Sequence, residues 1–385
     1  MKVGFDVSQT AEEKAGCGFV ADQLIRHLVQ ADHKSDYILY PTFYSYRHPE
    51  FHKAVNPEAQ NCKLHFAGMT FREMVREWDT PRDDRTDWLG NPDIIHINNF
   101  SCMKDHRARI VYTLYDLTPL VCPEFLLEQN RIICFDGLYR ASIYADHCIA
   151  ISENTKKDFL HFFPHYPENR VTVIPLGTRP GIKRILDSNL SQKVLGKFGI
   201  RPGDEFWLGV GTIEPRKNYR LLLEAFSELK DDKFLIIAGG AGWLESELGA
   251  LVKQLGLGKR VKFPGYASDL ELSVLYSSCF AFVYPSFYEG FGLPVLEAMS
   301  CGAAVITSKI ASLPEVGGDA ALYIDPQSKG YLIGQMAVLA NHPEKRNEHR
   351  ALSLEQAKKF SWDKAAAILL EAYEHTLNNR PYYWK

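Results

Sequence analysis

Tyr284-Pro285-Ser286-Phe287-Tyr288-Glu289-Gly290-Phe291-Gly292-Leu293-Pro294-Val295-Leu296-Glu297-Ala298-Met299 follows directly on the apolar run that starts at Ala281. The pattern predicts a buried strand, a glycine-bearing loop and then a helix. Pro294 marks the helix start, because proline lacks the N–H that a first turn leaves without a partner. Backbone amides near Phe291, Gly292 and Leu293 then converge on a helix N-terminus, where unpaired donors and the helix dipole can hold a phosphate. Glu289 falls in the loop and Glu297 about one turn into the helix. The neighbours of Glu297 are apolar, so its carboxylate must find donors or shift toward its neutral form. Sugar hydroxyls are suitable donors. Taken singly, each glutamate also reads as a cap or a solvated side chain; the complete string favours a ligand site.

Outward from this string, short β-branched or aromatic runs alternate with longer amphipathic stretches, the signature of βα units and parallel sheets. A first series has strand candidates at residues 2–7, 37–40, 93–97, 109–114, 147–151 and 171–174, with helices near 18–30, 128–144 and 154–163. A second has strands at 206–210, 233–238, 261–263, 281–284, 304–307 and 321–324, with helices near 218–229, 244–255, 270–277 and 294–301. Residues 175–204 between them hold Pro175, Gly177, Pro180, Gly181, Pro202 and Gly203 around a short helical patch, and a hinge is expected there. The expected domains are residues 1–178, completed by a C-terminal helix within 363–385, and residues 179–362. Two nucleotide-binding-like domains would then face each other across a cleft.

Gly209-Val210-Gly211-Thr212-Ile213-Glu214-Pro215-Arg216-Lys217-Asn218 again joins a strand's carboxyl end to a helix start, the end at which open α/β sheets bind ligands. Arg216 can fork to two phosphate oxygens, and Lys217 adds a compact positive charge. Gly16-Cys17-Gly18-Phe19-Val20-Ala21 fits the dinucleotide fingerprint G-x-G-x-x-A and raises an NAD-dependent oxidoreductase. The first strand ends at Val7, well before Gly16, and Ile38-Leu39-Tyr40-Pro41 stands where a ribose-binding acid belongs. A glycine pair on a longer loop, allowing close backbone approach, is the better reading.

The Glu289/Glu297 string resembles the paired-glutamate signature of retaining glycosyltransferases of sequence family four, and Glu-Pro-Arg-Lys-Asn at 214–218 is similar to another string of that family. The resemblance covers nearly the whole chain. It implies an α/β GT-B fold of two facing Rossmann-like domains. It also implies that Glu297 binds the donor ribose, Glu289 contacts the transferred sugar, and the amides of Gly290, Phe291, Gly292 and Leu293 hold the diphosphate with Arg216 and Lys217. Gly16 and Gly18 would belong to a first-domain loop over the donor phosphates and acceptor. Thr113-Leu114-Tyr115-Asp116-Leu117-Thr118-Pro119-Leu120 resembles the family's T-x-H-D-L-x-P-L string, with Tyr115 where histidine is usual. In relatives that histidine contacts the donor sugar. Asp116 reads as a group orienting the acceptor or a loop, or as a turn-forming aspartate. Ser152 reads as a helix cap. The Gly265–Asp269 stretch, with Tyr266, is a candidate to meet the nucleotide base.

Composition narrows the field further. The chain has 385 residues, 46% hydrophobic and 24% charged, which is ordinary globular usage. Lys plus Arg number 44 against 47 for Asp plus Glu, a net charge of -3 that offers no bulk pull toward nucleic acid. Eight cysteines without regular spacing suggest reduced core thiols of a cytosolic protein. The N-terminus lacks a signal-peptide pattern, and no apolar run reaches the roughly 20 residues of a membrane span. Residues 67–90 interleave Arg72, Arg76, Arg82 and Arg85 with Phe71, Trp78 and Trp88. They read first as a solvated helix and loop, and second as a surface for an acceptor or the inner membrane face. No D-x-D metal clamp and no G-x-x-x-x-G-K-[ST] phosphate loop occur.

The resulting expectation is a metal-independent, cofactor-free retaining glycosyltransferase of the cytoplasm. Its donor is a nucleoside-diphosphate sugar, with GDP-mannose the first choice and UDP-sugars the alternative. Its acceptor is a saccharide or lipid-linked saccharide of surface-glycan synthesis. A non-catalytic nucleotide-sugar-binding homologue, motivated by Tyr115, is the reading from a different class.

Overall fold

The computed structural model describes residues 1–11, 16–41, 54–65, 73, 76, 84–104, 107–240 and 245–382. The chain divides into two compact units, Met1–Leu176 with Ser361–Lys385, and Gly177–Phe360.

Among the described residues, the first unit is built on a parallel sheet of seven strands: β1 (Lys2–Asp6), β2 (Asp36–Tyr40), β3 (Cys62–Leu64), β4 (Ile94–Ile97), β5 (Arg109–Leu114), β6 (His147–Ala150) and β7 (Val171–Val173). Their order is β3-β2-β1-β4-β5-β6-β7, so the direction of winding reverses between β1 and β4. The central strands are near-continuous apolar runs because both faces are covered; Ile110 to Leu114 are all buried. The edge strand β3 was not expected. Three residues with Lys63 at their centre give no usable alternation.

Helix Gly16–Ala31 packs against the C-terminal helix Trp362–Asn378. Val20, Leu24 and Leu28 recur at helical spacing and are buried on one side, as are Ala365, Leu369 and Tyr373 on the other. Full burial of a leucine or isoleucine side chain is worth roughly 1.5–3 kcal/mol. His27 Nδ1 lies 2.8 Å from Asp363 Oδ1, and His96 Nδ1 lies 2.5 Å from the Tyr373 hydroxyl. The last helix therefore returns to the first unit, as the sequence led one to expect.

Among its described residues, the second unit carries a parallel six-stranded sheet: β8 (Phe206–Val210), β9 (Phe234–Ala238), β10 (Val261–Gly265), β11 (Ala281–Tyr284), β12 (Val305–Ser308) and β13 (Ala321–Ile324). The order is β10-β9-β8-β11-β12-β13, with the reversal between β8 and β11. At the ends of β8 and β9 the backbones nearly touch. A Cβ on Gly239, whose φ is +156°, would meet the carbonyl oxygen of Gly211 at 2.1 Å. Only glycine fits there.

The stretch 175–204 holds the boundary between the two units, at Leu176 and Gly177, and the part after it is bonded within the second unit. The amides of Lys183 and Ile185 donate to the hydroxyls of Ser273 (3.1 Å) and Ser277 (2.9 Å), and helix Ser188–Lys197 follows, capped by Asp187. Its prolines and glycines mark irregular backbone that is still fastened to the second unit. Two expectations need correction. The glycine pair Gly16 and Gly18 lies within helix Gly16–Ala31 and not on a loop. Cys102, Cys148, Cys279 and Cys301 are buried, whereas Cys17, Cys62, Cys122 and Cys134 are only half-buried. Of the arginine and tryptophan segment at 67–90, Phe71, Arg72, Trp78 and Arg82 lie outside the described residues, and Arg85–Trp88 forms a short helix. Among the described residues, no helix is long and apolar enough to cross a membrane.

Candidate functional site

In the second unit the two strings quoted from the sequence meet where the sheet reverses. One follows β8 and the other follows β11, neighbouring strands on either side of the reversal. Such switch points open a crevice at the carboxyl ends of the strands. Pro215–Lys217 form a single tight turn, and Asn218 then adopts the left-handed conformation (φ 57°, ψ 36°), one that asparagine tolerates better than most residues. Its side-chain amide donates to the carbonyls of Pro285 (3.1 Å) and Pro326 (2.8 Å). The Phe287 amide donates to the Arg216 carbonyl at 2.8 Å. These bonds lock the two strings together.

Glu289 is 7% exposed and sits at the centre of the joined strings. Its Oε1 lies 2.7 Å from Lys217 Nζ, 2.8 Å from the Tyr284 hydroxyl and 2.6 Å from the Ser286 hydroxyl. Its Oε2 lies 2.8 Å from Arg216 Nη1. Burial pushes this carboxyl upward, but Arg216, Lys217 and the hydrogen bonds outweigh burial and hold it down at about 2. Burial and the neighbouring Arg216 lower the Lys217 ammonium, against the pull of Glu289. Arg216 also reaches Glu214 Oε1 at 2.6 Å and donates to the Tyr288 carbonyl at 2.7 Å.

Helix Leu293–Ser300 starts from Gly292, whose φ of 103° and ψ of 44° lie in the left-handed region. A Cβ there would crowd Leu313 at 2.9 Å, so glycine both makes the turn and clears the approach. Phe291 is buried and Leu293 is half-buried. Glu297 is 1% exposed on this helix and is held by Arg179, with Nε on Oε1 at 2.5 Å and Nη2 on Oε2 at 2.9 Å. The buried carboxylate thus has the donors its position demands, and they come from the protein. At the end of β10, Gly265 turns the chain at φ +76°, Tyr266 stands 79% exposed, and Ser268 with Glu271 forms a capping box on helix Asp269–Ser278.

The first unit has its own polar cluster at the reversal between β1 and β4. The Asp6 carboxylate accepts from the amide of Ser8 (2.9 Å), the amide of Asn98 (3.1 Å) and the side chain of Asn99 (2.6 Å). Burial nevertheless raises it to about 6. The Tyr115 hydroxyl lies 3.3 Å from the Cys17 carbonyl and 3.2 Å from the Asn98 carbonyl, tying the first turn of helix Gly16–Ala31 to the end of β4. Asp116 accepts from the Thr118 amide at 3.0 Å, the geometry of a turn-forming aspartate. Ser152 caps helix Glu153–Phe162 by accepting from the Thr155 amide.

The structure therefore gathers Arg216, Lys217 and Glu289 in one cluster and gives Glu297 a separate clamp. Gly16, Gly18, Tyr115 and Asp116 belong to the first unit. Sequence reading missed two charged groups paired in these clusters. Asp6 ends an ordinary strand pattern, and Arg179 lies in the stretch read as a hinge; neither sits in a recognisable string, and Asn98, Asn99 and Glu297, which pair with them, are far away in the chain.

Residues 15–180 match the family described as Glycosyltransferase Family 4, and residues 191–352 match Glycosyl transferases group 1. The chain is 34% identical over 275 residues to the O-antigen chain mannosyltransferase B of Escherichia coli, covering 70% of this chain and 71% of that protein. It is 36% identical over 281 residues to the Escherichia coli serotype-specific mannosyltransferase WbdA; that match covers 70% of this chain and spans 34% of WbdA. Among solved structures it is similar to Anabaena Alr3699/HepE in complex with UDP and glucose. The TM-score is 0.72 at 18% identity, over 97% of this chain and 100% of that one, a likeness of fold.

Proposed function

The chain belongs to glycosyltransferase family four, with the GT-B fold, and from that premise we propose that it transfers mannose from GDP-mannose to a hydroxyl of a saccharide or lipid-linked saccharide during surface-glycan synthesis. The observation that carries this reading is the cluster of Arg216, Lys217 and Glu289 at the switch point of the second sheet, beside the N-terminus of helix Leu293–Ser300. The names of the two similar mannosyltransferases support the choice of sugar.

In this reading the amides of Gly290, Phe291, Gly292 and Leu293 receive the diphosphate, Glu297 meets the ribose, Glu289 approaches the transferred sugar, and Tyr266 borders the base. Glu214 and Glu289 balance the charges of Arg216 and Lys217. The field on the diphosphate then comes from the nearest donors and the helix dipole, not from a net positive charge. Because both cations are already fixed by carboxylates, little reorganisation is needed as charge develops. The bond from the anomeric carbon to the β-phosphate oxygen breaks, and the acceptor oxygen bonds to the same face of that carbon. The acceptor proton passes to the departing phosphate, and attack on the face that the phosphate leaves retains configuration. No metal is assigned a role. Tyr115 replaces the family's usual histidine and, on this reading, holds the first turn of helix Gly16–Ala31 in place.

Thermal unfolding with GDP, UDP, dTDP or NAD, each with EDTA, tests the donor site. A ligand at 100 times its dissociation constant adds about 2.7 kcal/mol, enough to raise the midpoint by several degrees. GDP is expected to stabilise the parent clearly more than Glu297→Ala at the same concentration. Stabilisation by UDP alone would move the donor to a UDP-sugar, and stabilisation by NAD alone would overturn the reading.

A further inference from the structure

Arg179 joins three pieces of the second unit. Its Nε and Nη2 take both oxygens of Glu297, and its Nη1 reaches Asp269 Oδ1 at 3.0 Å. The Tyr276 hydroxyl adds a third bond to Glu297, at 3.3 Å from Oε2. One planar group thus ties the segment around Gly177–Pro180 to the first residue of helix Asp269–Ser278 and to helix Leu293–Ser300. Asp269 follows the turn that presents Tyr266.

A carboxylate offers about four acceptor sites, and the guanidinium and the tyrosine occupy three. Glu297 therefore has little acceptor capacity left, in one fixed orientation. A buried carboxylate without its cation would be an uncompensated charge, costly enough to drive it to another rotamer or to its neutral form. A lysine could supply charge but not the two parallel N–H bonds that fix the plane of the carboxylate.

We propose that Arg179 is the positioning residue of the ribose subsite: it orients Glu297 toward a ribose hydroxyl and holds the Gly265–Asp269 turn beside it. The inference rests on the reading above that Glu297 meets the donor ribose. Arg179 itself touches no reacting atom, and its effect is on recognition of the nucleoside.

Calorimetric titration of the full chain with GDP and 2′-deoxy-GDP, UDP and 2′-deoxy-UDP, and pyrophosphate, all in EDTA, tests it. One well-placed hydrogen bond is worth up to roughly tenfold in affinity. The parent is expected to prefer the ribonucleotide by about that factor. Arg179→Ala is expected to bring the ratio to near one with pyrophosphate binding unchanged, and Arg179→Lys to fall between. Pyrophosphate carries no ribose, so a general collapse of the site would reveal itself there and overturn the assignment. Two further outcomes overturn it while leaving the transferase reading intact. One is an Arg179→Lys or Arg179→Ala protein that keeps the parent's ratio; the other is tighter ribonucleotide binding by Arg179→Ala, which would make Arg179 a competitor of the ribose. A parent that binds no nucleoside diphosphate overturns both the subsite and the reading beneath it.

Discussion

Replacing Arg216 with alanine is expected to lower turnover by roughly 10²- to 10³-fold while the fold survives, the loss seen when one preorganised donor is removed from a developing oxyanion. Arg216 is bound on both sides, by Glu214 at 2.6 Å and Glu289 at 2.8 Å, and is further fixed by the Tyr288 carbonyl. A side chain held this way presents its charge without first having to be ordered. The fold should persist because Lys217, Tyr284 and Ser286 still surround Glu289. Circular dichroism and the unfolding midpoint check the fold, and steady-state release of the nucleoside diphosphate checks the rate. Activity within threefold of the parent would remove Arg216 from the diphosphate site.

The second large effect is on stability and depends on pH. The Glu289 carboxyl is held at about 2 in the folded protein against an ordinary value of 4.5. A depressed folded value means that the carboxylate's contribution is fully present above about pH 4.5 and is lost as the pH falls through the folded value. The difference corresponds to about 3 kcal/mol at pH 7. Glu289→Gln removes that contribution and leaves Lys217, only 8% exposed, without its carboxylate. The parent is expected to exceed the variant by about 3 kcal/mol at pH 7 and by roughly half that at pH 3. The measurement is denaturant unfolding across that range, followed by a probe in the second unit such as Trp207 fluorescence. A gap that stays constant with pH would mean that the ion pairs with Arg216 and Lys217 do not set the stability of this cluster.

Much of the fold was legible because its central strands are apolar runs bounded by turn residues. Strands at Arg109–Leu114, Phe206–Val210, Ala281–Tyr284 and Ala321–Ile324 stand where the sequence predicts them. Two doubly wound sheets follow from the alternation of such runs with helices. What escaped was short or long-range. Strand Cys62–Leu64 is too brief to show a period, and helix Gly16–Ala31 starts two residues before the reading placed it, because a glycine pair suggests a loop more strongly than a helix.

The site divides along the same line. Glu289, Arg216 and Lys217 lie in strings that carry their own local signals, a glycine-bearing loop and a strand end. Arg179 has neither, and its bond to Glu297 spans a sequence separation of 118. Proline and glycine around it announced irregular backbone without announcing a contact. Asp6 is similar, since its partners Asn98 and Asn99 come from a different strand end. Motifs report what is local, and a buried polar residue paired across the fold leaves no local trace.

The most direct test of the central claim is the release of nucleoside diphosphate from GDP-mannose, UDP-glucose and UDP-N-acetylglucosamine by the purified parent in EDTA, followed with and without an oligomannose acceptor. The account predicts GDP release from GDP-mannose, faster with the acceptor and reduced at least 10²-fold in Arg216→Ala. Release from none of the donors by a folded protein that still binds GDP would contradict it and identify the chain as a nucleotide-sugar-binding protein without turnover.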